Sequence, residues 1–117
     1  MLNLTGPRRF WIACFRVDFR RGFDGLLADA YLAKRDPFAG DVLIFISRDR
    51  KKAKILAVDD TGIWVMAKRF FGGGISHRFY GEKSCREVSQ SEAMLFLEGT
   101  QYIVHKRLNG WPPKIGS

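Results

Sequence analysis

The chain has 117 residues, 46% of them apolar and ten of them phenylalanine. That is enough to bury one hydrophobic core without staples and too little for a second domain, and it excludes a disordered chain. Lys and Arg outnumber Asp and Glu by 20 to 12, a formal net charge of +8. Such a field draws polyanions, nucleic acid first, with acidic proteins and anionic membranes behind it. The two cysteines, Cys14 and Cys85, form no metal-binding spacing and suit a reducing compartment.

The segment from Met1 to Arg9 lacks the apolar stretch of a signal peptide. The longest apolar run, Phe10 to Phe15, falls far short of the about 18 residues that span a bilayer. The expectation is a cytoplasmic protein with no membrane role. It is a single domain, 1–117, with a core from about residue 8 to 108 and an irregular tail over 109–117.

Phe10 to Val17, rich in aromatic and β-branched residues, predicts a strand in which Cys14 acts as a small buried hydrophobe. A helix is expected from about Phe19 to Lys34, because Phe23, Leu26, Leu27, Ala30 and Tyr31 fall on one face of a 3.6-residue period. Asp18 is positioned to cap its start, and Asp36-Pro37 to end it. Val42 to Ser47 is apolar on both faces and suits the interior of a sheet; Lys52 to Val58 and Ile63 to Lys68 follow as strands. The charged turn Arg48-Asp49-Arg50-Lys51 and the turn Asp59-Asp60-Thr61-Gly62 join the three into an antiparallel meander.

The pattern then breaks in a loop from Phe70 to Gly74, with His77 to Tyr80 as a short extra strand. Ser89 and Glu92 have the spacing of a capping box, which opens a second helix. Ala93, Met94, Phe96 and Leu97 form its apolar side, and Gly99 its stop. The fold class expected is α+β: a mostly antiparallel β-meander sheet of three to five strands with two helices packed on it.

The stretch Asp18-Phe19-Arg20-Arg21-Gly22-Phe23-Asp24-Gly25-Leu26 resembles a signature segment of the TnpB-type accessory proteins of the insertion-sequence-66 transposon family. Asp36-Pro37-Phe38-Ala39-Gly40 before an apolar strand is similar to a second family segment. Lys54-Ile55-Leu56 with Asp59, Gly62 and Lys68-Arg69 resembles a third, and Leu97-Glu98-Gly99 a fourth. The four keep the family's order from about residue 8 to 100. The chain departs from the family at Ala57-Val58, where aromatics are usual, at Asp60, where Gly is usual, and at Phe79-Tyr80, which stands where Trp-Pro is usual. Its triple glycine is also unusual. The resemblance implies a bacterial auxiliary that acts beside a separate transposase, and it brings no catalytic residues with it.

The chemistry of the residues agrees with a protein that is not an enzyme. Two-metal nucleases need carboxylates converging on ions about 3.5 to 4 Å apart. The candidates Asp18, Asp24, Asp59, Asp60 and Glu92 read instead as caps, turn residues and ion-pair partners, Asp24 with Arg20 or Arg21. His77 and His105 have no local partner, and the glycine run lacks the Lys of a phosphate loop. No catalytic, metal or cofactor residues are therefore expected.

The basic residues carry the functional expectation. Arg48, Arg50, Lys51, Lys52 and Lys54 crowd one hairpin, and Lys68 and Arg69 stand before the glycine loop, with Arg78 beyond it. Arg16, Arg20 and Arg21 mark the first strand-to-helix junction. These predict weak DNA binding through phosphate contacts in an accessory factor for transposition. The alternative is an adaptor that docks on the transposase without touching DNA, through Asp18, Arg20, Arg21, Gly22, Phe23, Asp24 and Gly25. On that view the charged turns serve solubility. Gly22 and Gly25 read as sites of close packing between helix and sheet.

Overall fold

A computed structural model describes residues 6–72 and 85–98. The elements are β1 (Arg9–Ala13), α1 (Phe23–Leu32), a short 3-10 turn (Pro37–Ala39), β2 (Asp41–Ile46), β3 (Lys52–Val58), β4 (Ile63–Arg69), β5 (Cys85–Val88) and α2 (Gln90–Glu98). One five-stranded sheet runs in the order β4-β3-β2-β1-β5. Only β1 and β2 pair parallel; the other neighbours are antiparallel. The fold is α+β, and the expected meander, β2–β3–β4, makes up one side of the sheet with β4 at its edge. The strand expected at His77–Tyr80, the stop at Gly99 and the 109–117 tail lie outside the described residues.

The parallel pair dictates where α1 goes. A parallel connection must return the chain to the starting end of the sheet, and α1 makes that return. Side chains alternate across the strands, so each face gets its own core. On one face Trp11, Ala13, Leu43, Phe45 and Leu56 bury against Leu26 and Ala30 of α1. On the other, Ile12, Ile44, Ile46, Ala53 and Phe70 pack with Ala93 of α2. The helices thus cover opposite faces, which is why Val42 to Ile46 is buried without interruption.

The β1–α1 junction departs from expectation. β1 ends at Ala13, not Val17, and α1 begins at Phe23, not Phe19. From Phe15 to Arg20 burial still alternates, with Phe15, Val17 and Phe19 inward and Arg16, Asp18 and Arg20 outward. The segment packs on the α1-side core and pairs with no strand among the described residues. Asp18 does not cap the helix. Its carboxylate accepts the Arg20 amide at 2.9 Å and pairs with the Arg20 guanidinium at 2.8 Å. Gly22 stands at the N-cap without a side-chain hydrogen bond.

The far end of α1 also stops early, at Leu32 rather than Lys34. Lys34 takes a left-handed φ of 61°, and the Lys34 and Arg35 amides donate to the Tyr31 and Ala30 carbonyls, a Schellman closure. Asp36 then caps the 3-10 turn by accepting the Phe38 amide. Asp41 ties this turn to β1: one carboxylate oxygen accepts the Asp36 amide at 2.7 Å and the other the Trp11 indole N–H at 3.0 Å. The Asp-Pro-Phe-Ala-Gly segment is the crossover turn that sets β2 beside β1.

At α2 the capping box forms as expected. The Glu92 amide donates to Ser89 Oγ at 3.0 Å, and the Ser89 amide to Glu92 Oε1 at 2.9 Å. Phe96 and Leu97 pack inward with Ala93, whereas Met94, expected on the apolar side, faces solvent. Cys14 is buried, and burial pushes the Cys85 thiol up to about 11.

Candidate nucleic-acid interface

Topology places three separate basic segments at one end of the sheet. β1, β2 and β4 all finish at the end where the β2–β3 turn lies, and β3 and β5 begin there. The β1–α1 junction with Arg16, Arg20 and Arg21, the turn from Arg48 to Lys51, and the last residues of β4, Lys68 and Arg69, therefore converge. Asp36, Asp41, Asp59, Asp60, Glu87 and Glu92 belong to the opposite end, together with Arg8, Arg9, Lys34 and Arg35, whereas Asp18, Asp24 and Asp49 lie among the cations. A charge distribution of this kind gives the molecule a positive pole that a uniform scatter of the same residues lacks.

The turn at that pole is braced from within. Ser47, buried, donates its hydroxyl to Asp49 at 2.6 Å and accepts the Lys52 amide at 2.9 Å. Asp49 also accepts the Lys51 amide, and these bonds hold its carboxyl below the usual range. Arg50 takes a left-handed φ of 62°. Arg48, Arg50, Lys51 and Lys52 are exposed, and no ion pair engages them or Arg69 among the described residues.

Not every basic side chain at this end is available. Lys54 donates from Nζ to the carbonyls of Phe19 at 2.6 Å and Arg21 at 2.9 Å, clamping the junction onto β3. Lys68 donates to the Leu97 carbonyl at 2.7 Å, closing the C-terminal turn of α2. Arg20 is paired with Asp18, whose carboxyl it holds at about 2. Arg21 lies 3.4 Å from Asp29, so the expected pairing of either arginine with Asp24 is replaced. Asp24 sits in the first turn of α1.

The glycines of the junction do different work from that expected. A Cβ on Gly25 would meet the Arg21 stem at 3.0 Å, whereas one on Gly22 would meet nothing within 4 Å. Gly25 makes room for Arg21 rather than for the sheet. Phe23 and Tyr31, expected on the buried face of α1, are exposed. Sequence reasoning also missed Phe71, which is 74% exposed beside the buried Phe70. The signal was there: in a doublet leaving a strand, alternation turns one ring inward and the other outward.

The acidic end holds a cleft of about 480 Å³ between Arg8, Arg9, Glu87, Val88, Gln90 and Glu92. Within it Arg9 pairs with Glu87 at 2.6 Å and Glu92 with Ser89, and Arg8 donates from its terminal nitrogen to the Val58 carbonyl at 2.6 Å while its buried Nε has no partner among the described residues. Asp59 accepts the Thr61 and Gly62 amides and the Trp64 indole, which hold its carboxyl at about 2. Among the described residues no three of His, Cys, Asp and Glu are grouped to hold a metal ion. No described helix is long and apolar enough to cross a membrane.

Comparison with curated proteins gave no match, nor did comparison with solved structures. Residues 8–107 match the IS66 Orf2 like protein family, a span that includes all five strands and both helices. The chain belongs to the IS66 Orf2-like family and is a transposition-associated accessory protein.

Proposed function

We propose that this protein binds DNA weakly and without sequence preference through its positive pole, as an accessory factor in transposition. The observation that carries the reading is the convergence of Arg48, Arg50, Lys51, Lys52 and Arg69 on one end of the sheet, where these cations outnumber the acids Asp18, Asp24 and Asp49. A braced hairpin loses little freedom when it meets a phosphate backbone, so its charges act together. Lys54 and Lys68, spent on carbonyls, contribute field more than contact. The test is the salt dependence of duplex binding. The logarithm of affinity should fall with the logarithm of salt by about 0.9 per phosphate contact, and alanine at Arg48, Arg50, Lys51 and Lys52 should flatten that slope. Binding to neither duplex nor single strand at low salt refutes it, as does an unchanged slope in the variant.

A second reading, an adaptor that docks on the transposase, has its own support. Leu32 and Phe38 are 82% and 60% exposed near Tyr31 and Asp36, at the end of the sheet opposite the Arg48–Lys52 turn. Apolar side chains grouped on a surface favour a protein partner. The junction from Asp18 to Gly25 offers a charged docking segment at the other end. Co-purification of the transposase with the protein in nuclease-treated extract, lost on Leu32→Ser with Phe38→Ser, supports this reading; retention in that variant opposes the remote site.

A further inference from the structure

We infer that the positive pole takes unpaired rather than fully duplex DNA, with Phe23 and Phe71 stacking on exposed bases. This rests on the DNA-binding reading above and specifies the form of the nucleic acid. Phe71 lies two residues beyond Arg69 and three beyond Lys68, and Phe23 follows Arg20, Arg21 and Gly22. Both rings lie in the open, 74% and 53% exposed.

The fold sets them on either side of the same cations. β4 is an edge strand, so Phe71 leaves the sheet at its rim, two residues beyond Arg69. Phe23 begins α1, two residues beyond the Arg21 carbonyl that Lys54 holds onto β3. Lys52 and Arg69 face each other between these points.

A lone exposed ring is ordinary on a protein surface. Two rings at the margins of a cationic patch form the arrangement that single-strand binders use, a charged track with flat platforms beside it. In a duplex the bases are stacked on one another and present phosphates outward, so the rings gain little. In an unpaired strand every base offers a face, whatever its identity, which fits binding without sequence preference.

The experiment compares the full chain on a labelled oligonucleotide of about 20 nucleotides, without self-complementarity, and on its duplex, by fluorescence anisotropy at one low salt concentration. Wild type is expected to bind the single strand more tightly. Phe71→Ala and Phe23→Ala should each weaken single-strand binding by about fivefold or more and leave duplex binding within about twofold. Phe71→Trp should retain the preference.

Equal affinity for the two forms, or losses that are the same on both, overturn the stacking role while leaving the DNA-binding reading in place. If wild type binds neither form, or if Arg48→Ala with Lys51→Ala changes neither affinity, the DNA-binding reading fails and this inference with it. Should Phe23→Ala unfold by circular dichroism, Phe71, outside both helices and the sheet, decides the question alone.

Discussion

Lys52 stands directly across from Arg69 in the β3–β4 ladder, two like charges in register on the same face. Directly opposed like charges weaken an antiparallel pair, so the sheet is less stable here than it would be with one of them reversed. Arg69→Glu is expected to raise the melting temperature by about 1 to 4 °C through a cross-strand ion pair. It should also lower affinity for DNA. Thermal denaturation and anisotropy on one protein preparation read both effects. A variant that gains stability and keeps its affinity removes the pair from the interface.

Lys54 and Lys52 lie two residues apart on one face of β3, yet their substitutions should behave differently. The Lys54 ammonium holds the Phe19 and Arg21 carbonyls, and hydrogen bonds to a charged group contribute about 1.5 to 3 kcal/mol. Lys54→Met should lose stability on that order in urea denaturation and speed amide exchange across 19–22. Lys52→Met should leave stability nearly unchanged and weaken DNA binding more. Equal stability of the two variants contradicts the clamp.

Much of this architecture was legible because local chemistry decides it. Ser89 and Glu92 satisfy each other whatever surrounds them, and Asp59 with Gly62 closes its own turn. The β1–α1 junction misled for the same reason. Phe15, Val17 and Phe19 alternate as a strand would, but among the described residues no ladder pairs them: the β1–β2 register runs no further than Ile12 and the β1–β5 register no further than Ala13. Asp18 had Arg20 within reach, and that local pairing, not the helix, took its carboxylate. The composite basic end was not legible. Its segments are dozens of residues apart in sequence, and only the parallel pairing of β1 with β2 sets the β1–α1 junction at the same end as the β2–β3 turn.

Acid should destabilise the protein in a defined window. Asp59 and Asp18 have carboxyls lowered to about 2 from an ordinary 3.8. The unfolded chain therefore takes up these protons first as the pH falls. The stabilisation is complete above the unfolded value and drains away as the pH drops from near 4 through the folded value. The melting temperature of wild type should hold from pH 7 to pH 5 and fall steeply toward pH 2. Asp59→Ala should melt lower at pH 7, where Thr61, Gly62 and Trp64 lose their acceptor, and show a shallower acid decline. Asp59→Asn, which keeps an acceptor oxygen, should fall between. An acid decline as steep in Asp59→Ala as in wild type excludes this carboxylate as a source.

The crossover turn gives the sharpest contrast between two glycines. Gly40 has a φ of 106°, and a Cβ there would lie 2.9 Å from the Pro7 carbonyl oxygen. Its own carbonyl accepts the Arg9 amide at 3.2 Å, the hydrogen bond that starts β1 beside β2. Gly22, at the α1 N-cap, has a φ of −103° and open space around it. Gly40→Ala should therefore cost about 2 kcal/mol or more, since neither the backbone conformation nor the space suits a side chain. Gly22→Ala should cost about 1 kcal/mol or less, the difference between two weak caps. Urea denaturation of both variants measures the gap. Equal costs would mean that the Asp36–Asp41 turn tolerates a side chain, and that the parallel β1–β2 pairing does not depend on the close approach of Gly40 to Pro7.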